Sequence, residues 1–292
     1  MRAPRPKSER FRLPAVAVLC AALLLGCAGK PGPDARRMAT DYAAMRLFPP
    51  LADTLTMADA MEIQASFVSA LEPRFGPPVG YKAGLTSAAA QARFGADRPV
   101  RGVLLREMLR PSGAVVPTLF GARPVFEGDL LVRIGSEAVN RARTDDELLA
   151  ALDAVIPFLE LPDLMYDPAM TLDAPALAAV NVGARLGIVG EAIPLAALDD
   201  AYDRLGRFRV ALLDTTGAVL AEGDGAALLG HPLNVVRWLR DSLARDGVAL
   251  RPGDLLSLGS LTPLMPVRPG QTITARYTGL ASEPGEVTVT FR

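Results

Sequence analysis

Lysine, cysteine and histidine are nearly absent from this chain of 292 residues, which has two cysteines, one histidine and three lysines among its 31 basic residues. Each scarcity excludes something. The cysteines, Cys20 and Cys27, both lie near the N-terminus, so no disulfide links the remainder, and neither a thiolate zinc site nor a cysteine nucleophile can be built there. The histidine, His231, sits in Gly230-His231-Pro232, where it reads as a residue at the entry of a helix rather than an acid–base group. No Gly-rich phosphate loop precedes a helical pattern, which speaks against a nucleotide cofactor. There is no internal repeat and no low-complexity tract.

The lysines are Lys7, Lys30 and Lys82, so Lys82 is the only one between Pro31 and Arg292. Arginine supplies positive charge everywhere else in that span. A position that keeps an amine in such a composition points to chemistry, because a desolvated lysine can exchange its proton whereas arginine stays charged. The alternative is an ordinary surface lysine. The setting, Gly80-Tyr81-Lys82-Ala83-Gly84-Leu85-Thr86-Ser87, is tight and flanked by glycine.

Arg2, Arg5, Lys7, Arg10 and Arg12 precede an apolar run from Leu13 to Gly26 that is short for a membrane span and reads as a targeting signal. It ends in Leu24-Leu25-Gly26-Cys27, which resembles the lipobox of bacterial lipoproteins and implies cleavage of residues 1–26 and acylation of Cys27. Ala28 follows in place of an aspartate, which favours an outer-membrane anchor facing the periplasm. Residues 27–50, with Pro31, Pro33, Pro49 and Pro50, read as a tether, and residues 51–292 as a single domain. Without the signal the chain carries 26 basic against 31 acidic residues, a balance that disfavours nucleic acid as a partner.

Thr56-Met57-Ala58-Asp59 predicts a capping box opening an amphipathic helix that ends near Pro73. Thr144-Asp145-Asp146-Glu147 predicts a second helix running toward Ile156. Val235, Val236, Trp238 and Leu239 read as the core face of another. Arg123 to Ile134, Phe208 to Leu213, Asp254 to Leu258, Thr272 to Tyr277 and Glu286 to Phe291 read as strands. Many strands with few intervening helices predict an α+β fold on mixed or antiparallel sheet.

In the strand Val125-Phe126-Glu127-Gly128-Asp129-Leu130, alternation puts Glu127 and Asp129 on one face. A third acid, Glu160, lies in the apolar run Phe158-Leu159-Glu160-Leu161, where a carboxylate is costly unless paired or metal-bound. Three such oxygen ligands suit Mg²⁺ or Mn²⁺. The alternative is a solvated face with Arg123 or Arg133 as partners.

Taken in order, Gly80 to Ser87, Glu127-x-Asp129, Pro157-Phe158-Leu159-Glu160, Gly230-His231-Pro232-Leu233-Asn234 and Gly259-Ser260-Leu261-Thr262 resemble the 2-keto-4-pentenoate hydratases of the fumarylacetoacetate hydrolase superfamily. The resemblance implies a roll of mixed β-sheet with flanking helices around a metal-bearing cleft, assembled as a homo-oligomer. It puts Mg²⁺ or Mn²⁺ on Glu127, Asp129 and Glu160, with Asp129 standing where the family usually has glutamate. Lys82 and Glu160 are the implied catalytic pair. Ser260, Thr262 and Asn181 are implied contacts for a small 2-keto acid substrate, although only the asparagine of the family's Asp-Asn pair is present in Val180-Asn181-Val182-Gly183. The implied reaction is hydration of a 2-hydroxy-2,4-dienoate. A decarboxylase or carbon–carbon hydrolase on the same scaffold, or an envelope lipoprotein that kept only the fold, are the competing readings.

Overall fold

A computed structural model describes Met1, residues 33–49 and residues 55–292. The signal segment and Cys27 lie outside the described residues. Among the described residues no helix is long and apolar enough to cross a membrane.

The helices are α1 (Pro33–Ala43), α2 (Met57–Phe75), α3 (Ala88–Arg93), α4 (Asp145–Ala150), α5 (Ala174–Ala179), α6 (Ala201–Arg207) and α7 (Pro232–Arg245). The strands are β1 (Pro78–Gly84), β2 (Val100–Leu105), β3 (Leu109–Pro111), β4 (Ala114–Val116), β5 (Val125–Ile134), β6 (Leu152–Leu161), β7 (Leu186–Val189), β8 (Ile193–Pro194), β9 (Arg209–Leu213), β10 (Val219–Asp224), β11 (Leu255–Ser257), β12 (Met265–Pro266), β13 (Thr272–Thr278) and β14 (Gly285–Phe291). The mixed α+β reading holds. One sheet runs β2-β1-β11-β5-β6-β7-β3, with β12 against β5 and β8 against β6. The other runs β10-β9-β13-β14-β4.

Strands β5 and β6 are long antiparallel partners whose two faces do different work. Phe126, Leu130, Val132 and Ile134 of β5, with Val155 and Leu159 of β6, pack in the main core with Val210, Leu212, Ile273, Val287 and Phe291 of the second sheet. Such burial supplies on the order of 1.5–3 kcal/mol per large apolar side chain. The opposite face carries Leu131, Ala154, Ile156 and Phe158 in a small separate cluster, and beyond them the three acids.

Both capping boxes form: the Thr56 hydroxyl accepts from Asp59 N at 3.2 Å, and the Thr144 hydroxyl from Glu147 N at 3.1 Å. The second helix is shorter than its sequence pattern suggests, ending at Ala150 instead of approaching Ile156. Residues 152–161 are instead the central strand β6, since Val155, Ile156 and Pro157 are poor helix residues and the run is buried on both faces.

The expected tether is also corrected over the part described. Residues 33–43 form helix α1, which docks on α2 through buried Met38 and Tyr42, and Phe48 follows into the same apolar cluster. Tyr42 donates its hydroxyl to Ala184 O at 3.0 Å, and the Arg185 guanidinium lies 4.0 Å from the Tyr42 ring centroid. Aromatic and cation–π contacts of this kind make the segment part of the domain.

Candidate active site

Glu127 of β5 and Glu160 of β6 are directly opposed partners in the antiparallel ladder, and Asp129 follows two residues on, so all three carboxylates share one face. Lys82 of β1 is in register with Ser257 of β11, which is in register with Leu131 of β5. The lysine therefore stands on this same face, and the sheet curls to bring its amine to Glu160. All four are buried: Lys82 is 3% exposed, Glu127 4%, Asp129 0% and Glu160 2%. That burial removes the surface-lysine and solvated-face alternatives. Arg133 pairs with Asp153, and the Arg123 guanidinium donates to Tyr166 O.

Lys82 Nζ donates to Glu160 Oε1 and, at 2.9 Å, to the carbonyl of Val182. The second contact depends on an unusual backbone. Asn181, Val182 and Gly183 all have positive φ, with 53° at Val182, a conformation a β-branched residue rarely adopts. Gly84 makes room for this turn, because a Cβ there would lie 2.5 Å from Val182 Cγ1. Nothing in the sequence marks Val182 as a lysine partner; the contact spans 100 residues.

Burial, with the nearby Glu160 charge second, raises the Glu127 carboxyl well above its usual range, while Ser260 and Lys82 pull it back. The same two causes, burial first, push Asp129 up to about 8. Burial and the Glu160 charge thus hold back the ionisation of Glu127 and Asp129, and a bound cation is what would favour their charged forms. Glu127 Oε2 is buried with no hydrogen-bond partner, a costly state that a bound ion would relieve. A hard divalent cation taking oxygen ligands therefore fits Glu127 and Glu160.

Asp129 departs from the expected ligand set. Its Oδ2 accepts from Ser257 Oγ, and its Oδ1 from Leu130 N and, at 2.9 Å, from Gly259 N. Among the described residues no three His, Cys, Asp or Glu side chains are gathered so as to hold a metal ion. The short aspartate side chain is already satisfied by Ser257 at the end of β11, Gly259 in the turn after it and the neighbouring Leu130 amide.

The three expected substrate contacts separate. Ser260 is exposed and its hydroxyl stands beside Glu127. Thr262 is 5% exposed and its Oγ1 accepts from Gly128 N at 2.9 Å, so it ties the turn to β5. Asn181 is fully buried; its Oδ1 accepts from Val103 N at 2.7 Å and its Nδ2 donates to Val103 O at 2.9 Å. Both groups of its amide are thus engaged, and Asn181 is a structural pin rather than a substrate ligand. His231 is the helix-entry residue expected: Nδ1 accepts from Leu233 N at 3.2 Å and Nε2 lies 3.0 Å from Tyr202 O.

Sequence reasoning passed over Tyr277. Its hydroxyl reaches from the second sheet to Asp129 O and, at 2.7 Å, Phe158 O, two register steps from the opposed glutamates. Its alternating position in β13 shows only that it points into the core.

No protein-family model matches the chain. It is 33% identical over 250 residues to a 4-oxalocrotonate decarboxylase of Pseudomonas putida, covering 85% of this chain and 88% of that one. It is 28% identical over 241 residues to 2-keto-4-pentenoate hydratase 1 of Dechloromonas aromatica, covering 81% and 89%. The structure of 4-oxalocrotonate decarboxylase from Pseudomonas putida G7 complexed with magnesium and adipate superposes with a TM-score of 0.78 at 29% identity, covering 89% of this chain and 96% of that one. A fumarylpyruvate hydrolase from Pseudomonas aeruginosa, 18% identical with a TM-score of 0.52 and covering 72% and 88%, shares the fold.

Proposed function

The chain belongs to the family of 4-oxalocrotonate decarboxylases and 2-keto-4-pentenoate hydratases, and from that premise we propose that it is a metal-dependent lyase that hydrates a 2-hydroxy-2,4-dienoate to a 4-hydroxy-2-oxo acid. The observation that carries this reading is the buried amine of Lys82, held between Glu160 and the Val182 carbonyl beside the unpartnered Glu127 Oε2. A solved relative is complexed with magnesium. Here Glu127 and Glu160 would hold Mg²⁺ or Mn²⁺. Such a cation, when bound, supplies Lewis-acid stabilisation of negative charge on the 2-oxygen of a keto acid.

The chain's own residues supply the rest. Ketonisation of the dienol places a proton on C5 and leaves an alkene conjugated with the 2-oxo group; water then adds at C4 while C3 takes a proton. Lys82 Nζ is the group placed to carry these protons, because two acceptors fix its position and burial keeps bulk water from competing. Ser260, exposed at the edge of the acid face, donates to the substrate carboxylate. The test is the decay of the ultraviolet absorbance of 2-hydroxypenta-2,4-dienoate with Mn²⁺ or EDTA, for wild type and Glu127→Ala. Metal-dependent decay that vanishes in the variant supports the reading; equal decay in both overturns it.

Decarboxylation is a second reading, favoured by the 33% identity to a 4-oxalocrotonate decarboxylase. It passes through the same kind of enolate, and release of carbon dioxide from 4-oxalocrotonate distinguishes it. Leu24-Leu25-Gly26-Cys27 supports placement of this enzyme in the bacterial envelope, anchored through acylated Cys27 on the outer membrane and facing the periplasm. Incorporation of labelled palmitate that is lost in Cys27→Ser tests the anchor.

A further inference from the structure

The geometry points to Asp129 as a positioning residue that fixes the turn carrying Ser260, and not as a third ligand of the metal. This inference rests on the proposed function for the metal and the substrate, but its structural half stands on the hydrogen bonds alone.

Three donors converge on the Asp129 carboxylate: Ser257 Oγ on one oxygen, Gly259 N and Leu130 N on the other. Two of them belong to the segment 257–259, which leaves strand β11 and leads to Ser260. Hydrogen bonds to a carboxylate are among the stronger ones, so this is a firm anchor. The turn has little freedom to move elsewhere. Gly259 has φ of 102°, and a Cβ at that position would lie 2.6 Å from Thr86 Oγ1. On its far side, Thr262 Oγ1 accepts from Gly128 N, and Leu261 N donates to Gly128 O at 2.9 Å. Residues 128 and 129 of β5 thus hold the turn at both ends, and Ser260 is left exposed between them, beside Glu127.

Contrast between the acids makes the assignment. Glu127 Oε2 is buried and unpartnered, the condition of a ligand awaiting its ion. Asp129 is 0% exposed with both oxygens engaged, and to reach an ion it would have to leave the Gly259 amide and the Ser257 hydroxyl without an acceptor. A glutamate could extend past these donors; the aspartate, one methylene shorter, ends among them. An aspartate here holds the backbone that carries Ser260.

The experiment measures Mn²⁺ binding to the full chain by calorimetry, together with KM and kcat for 2-hydroxypenta-2,4-dienoate, in wild type, Asp129→Asn, Asp129→Ala and Glu127→Gln. Asparagine keeps an acceptor for the two amides, so Asp129→Asn should bind Mn²⁺ within about threefold of wild type, whereas Glu127→Gln should lose on the order of 10–100-fold. Asp129→Ala should raise KM by about tenfold with a smaller change in kcat, and Asp129→Asn should restore much of the loss. A fall in Mn²⁺ affinity in Asp129→Asn as large as in Glu127→Gln overturns the inference.

If wild type binds no Mn²⁺, the proposed function fails separately, and a double-mutant cycle of Asp129→Ala with Ser257→Ala, unfolded by denaturant in EDTA, decides the structural half. Coupling of about fivefold or more in the unfolding constant supports the anchor, and additive effects overturn it. Should Asp129→Ala not fold, Asp129→Asn replaces it in the cycle.

Discussion

Lys82 and Glu160 are joined by a buried ion pair although they are 78 residues apart in sequence and three strands apart in the sheet order β1-β11-β5-β6. In a flat sheet the three strand spacings alone amount to about 14 Å. The contact exists because the sheet curls into a roll.

Removing the amine leaves Glu160 buried beside Glu127 with no cation, so Lys82→Met should destabilise the metal-free protein by about 3–5 kcal/mol in denaturant unfolding. Lys82→Arg keeps charge but not a removable proton. It should fall at least about 100-fold in kcat while still folding. Near-normal turnover in that variant would show that the proton transfers lie elsewhere.

Stability of the metal-free protein should decline as pH rises. Glu127 and Asp129 have carboxyl groups raised in the folded state, Asp129 to about 8, so the native protein binds more protons than the unfolded chain. Their contribution is complete below the ordinary carboxylate range, and the Asp129 part is lost on passing upward through about 8. Melting temperatures in EDTA should therefore fall from about pH 5 toward about pH 9, and Glu127→Gln should flatten the slope. A flat wild-type profile contradicts the raised values.

Asn181→Ala should act on stability and not on substrate affinity. It removes the side chain bonded to both Val103 N and Val103 O, and leaving buried backbone groups unpaired costs about 1–3 kcal/mol. A large rise in KM with unchanged stability would restore Asn181 to the substrate site.

Tyr277→Phe withdraws the hydroxyl that reaches Asp129 O and Phe158 O beneath the acid face. The expected loss is about 1–3 kcal/mol in unfolding free energy. Because the affected residues neighbour Glu127 and Glu160 in register, weaker Mn²⁺ binding should accompany it. Unchanged unfolding would show that water replaces the hydroxyl.

Helix α1 should prove integral to the domain. Tyr42, 1% exposed, packs on Phe67 and Phe75 with ring centroids 5.6 and 5.5 Å apart. Tyr42→Ala should cost about 3–5 kcal/mol in chemical denaturation. An effect under about 1 kcal/mol would return residues 33–43 to the role of a tether.

Legible in the chain alone are the strand alternation that puts Glu127 and Asp129 on one side, the caps at Thr56 and Thr144, and the singular amine of Lys82. These are local: a side-chain period of two, a hydroxyl three residues from an amide, and a composition that avoids lysine. Folding sets which acid meets Lys82, that Asn181 and Thr262 hold backbone, that Asp129 faces Ser257 and Gly259, and that residues 33–43 pack on the domain. Each of those depends on partners tens to hundreds of residues away, and the Lys82–Glu160 contact on the curl of the sheet as well. A hydrogen-bonding side chain looks the same in sequence whether its partner is a substrate or a distant amide, and packing alone settles which one it reaches.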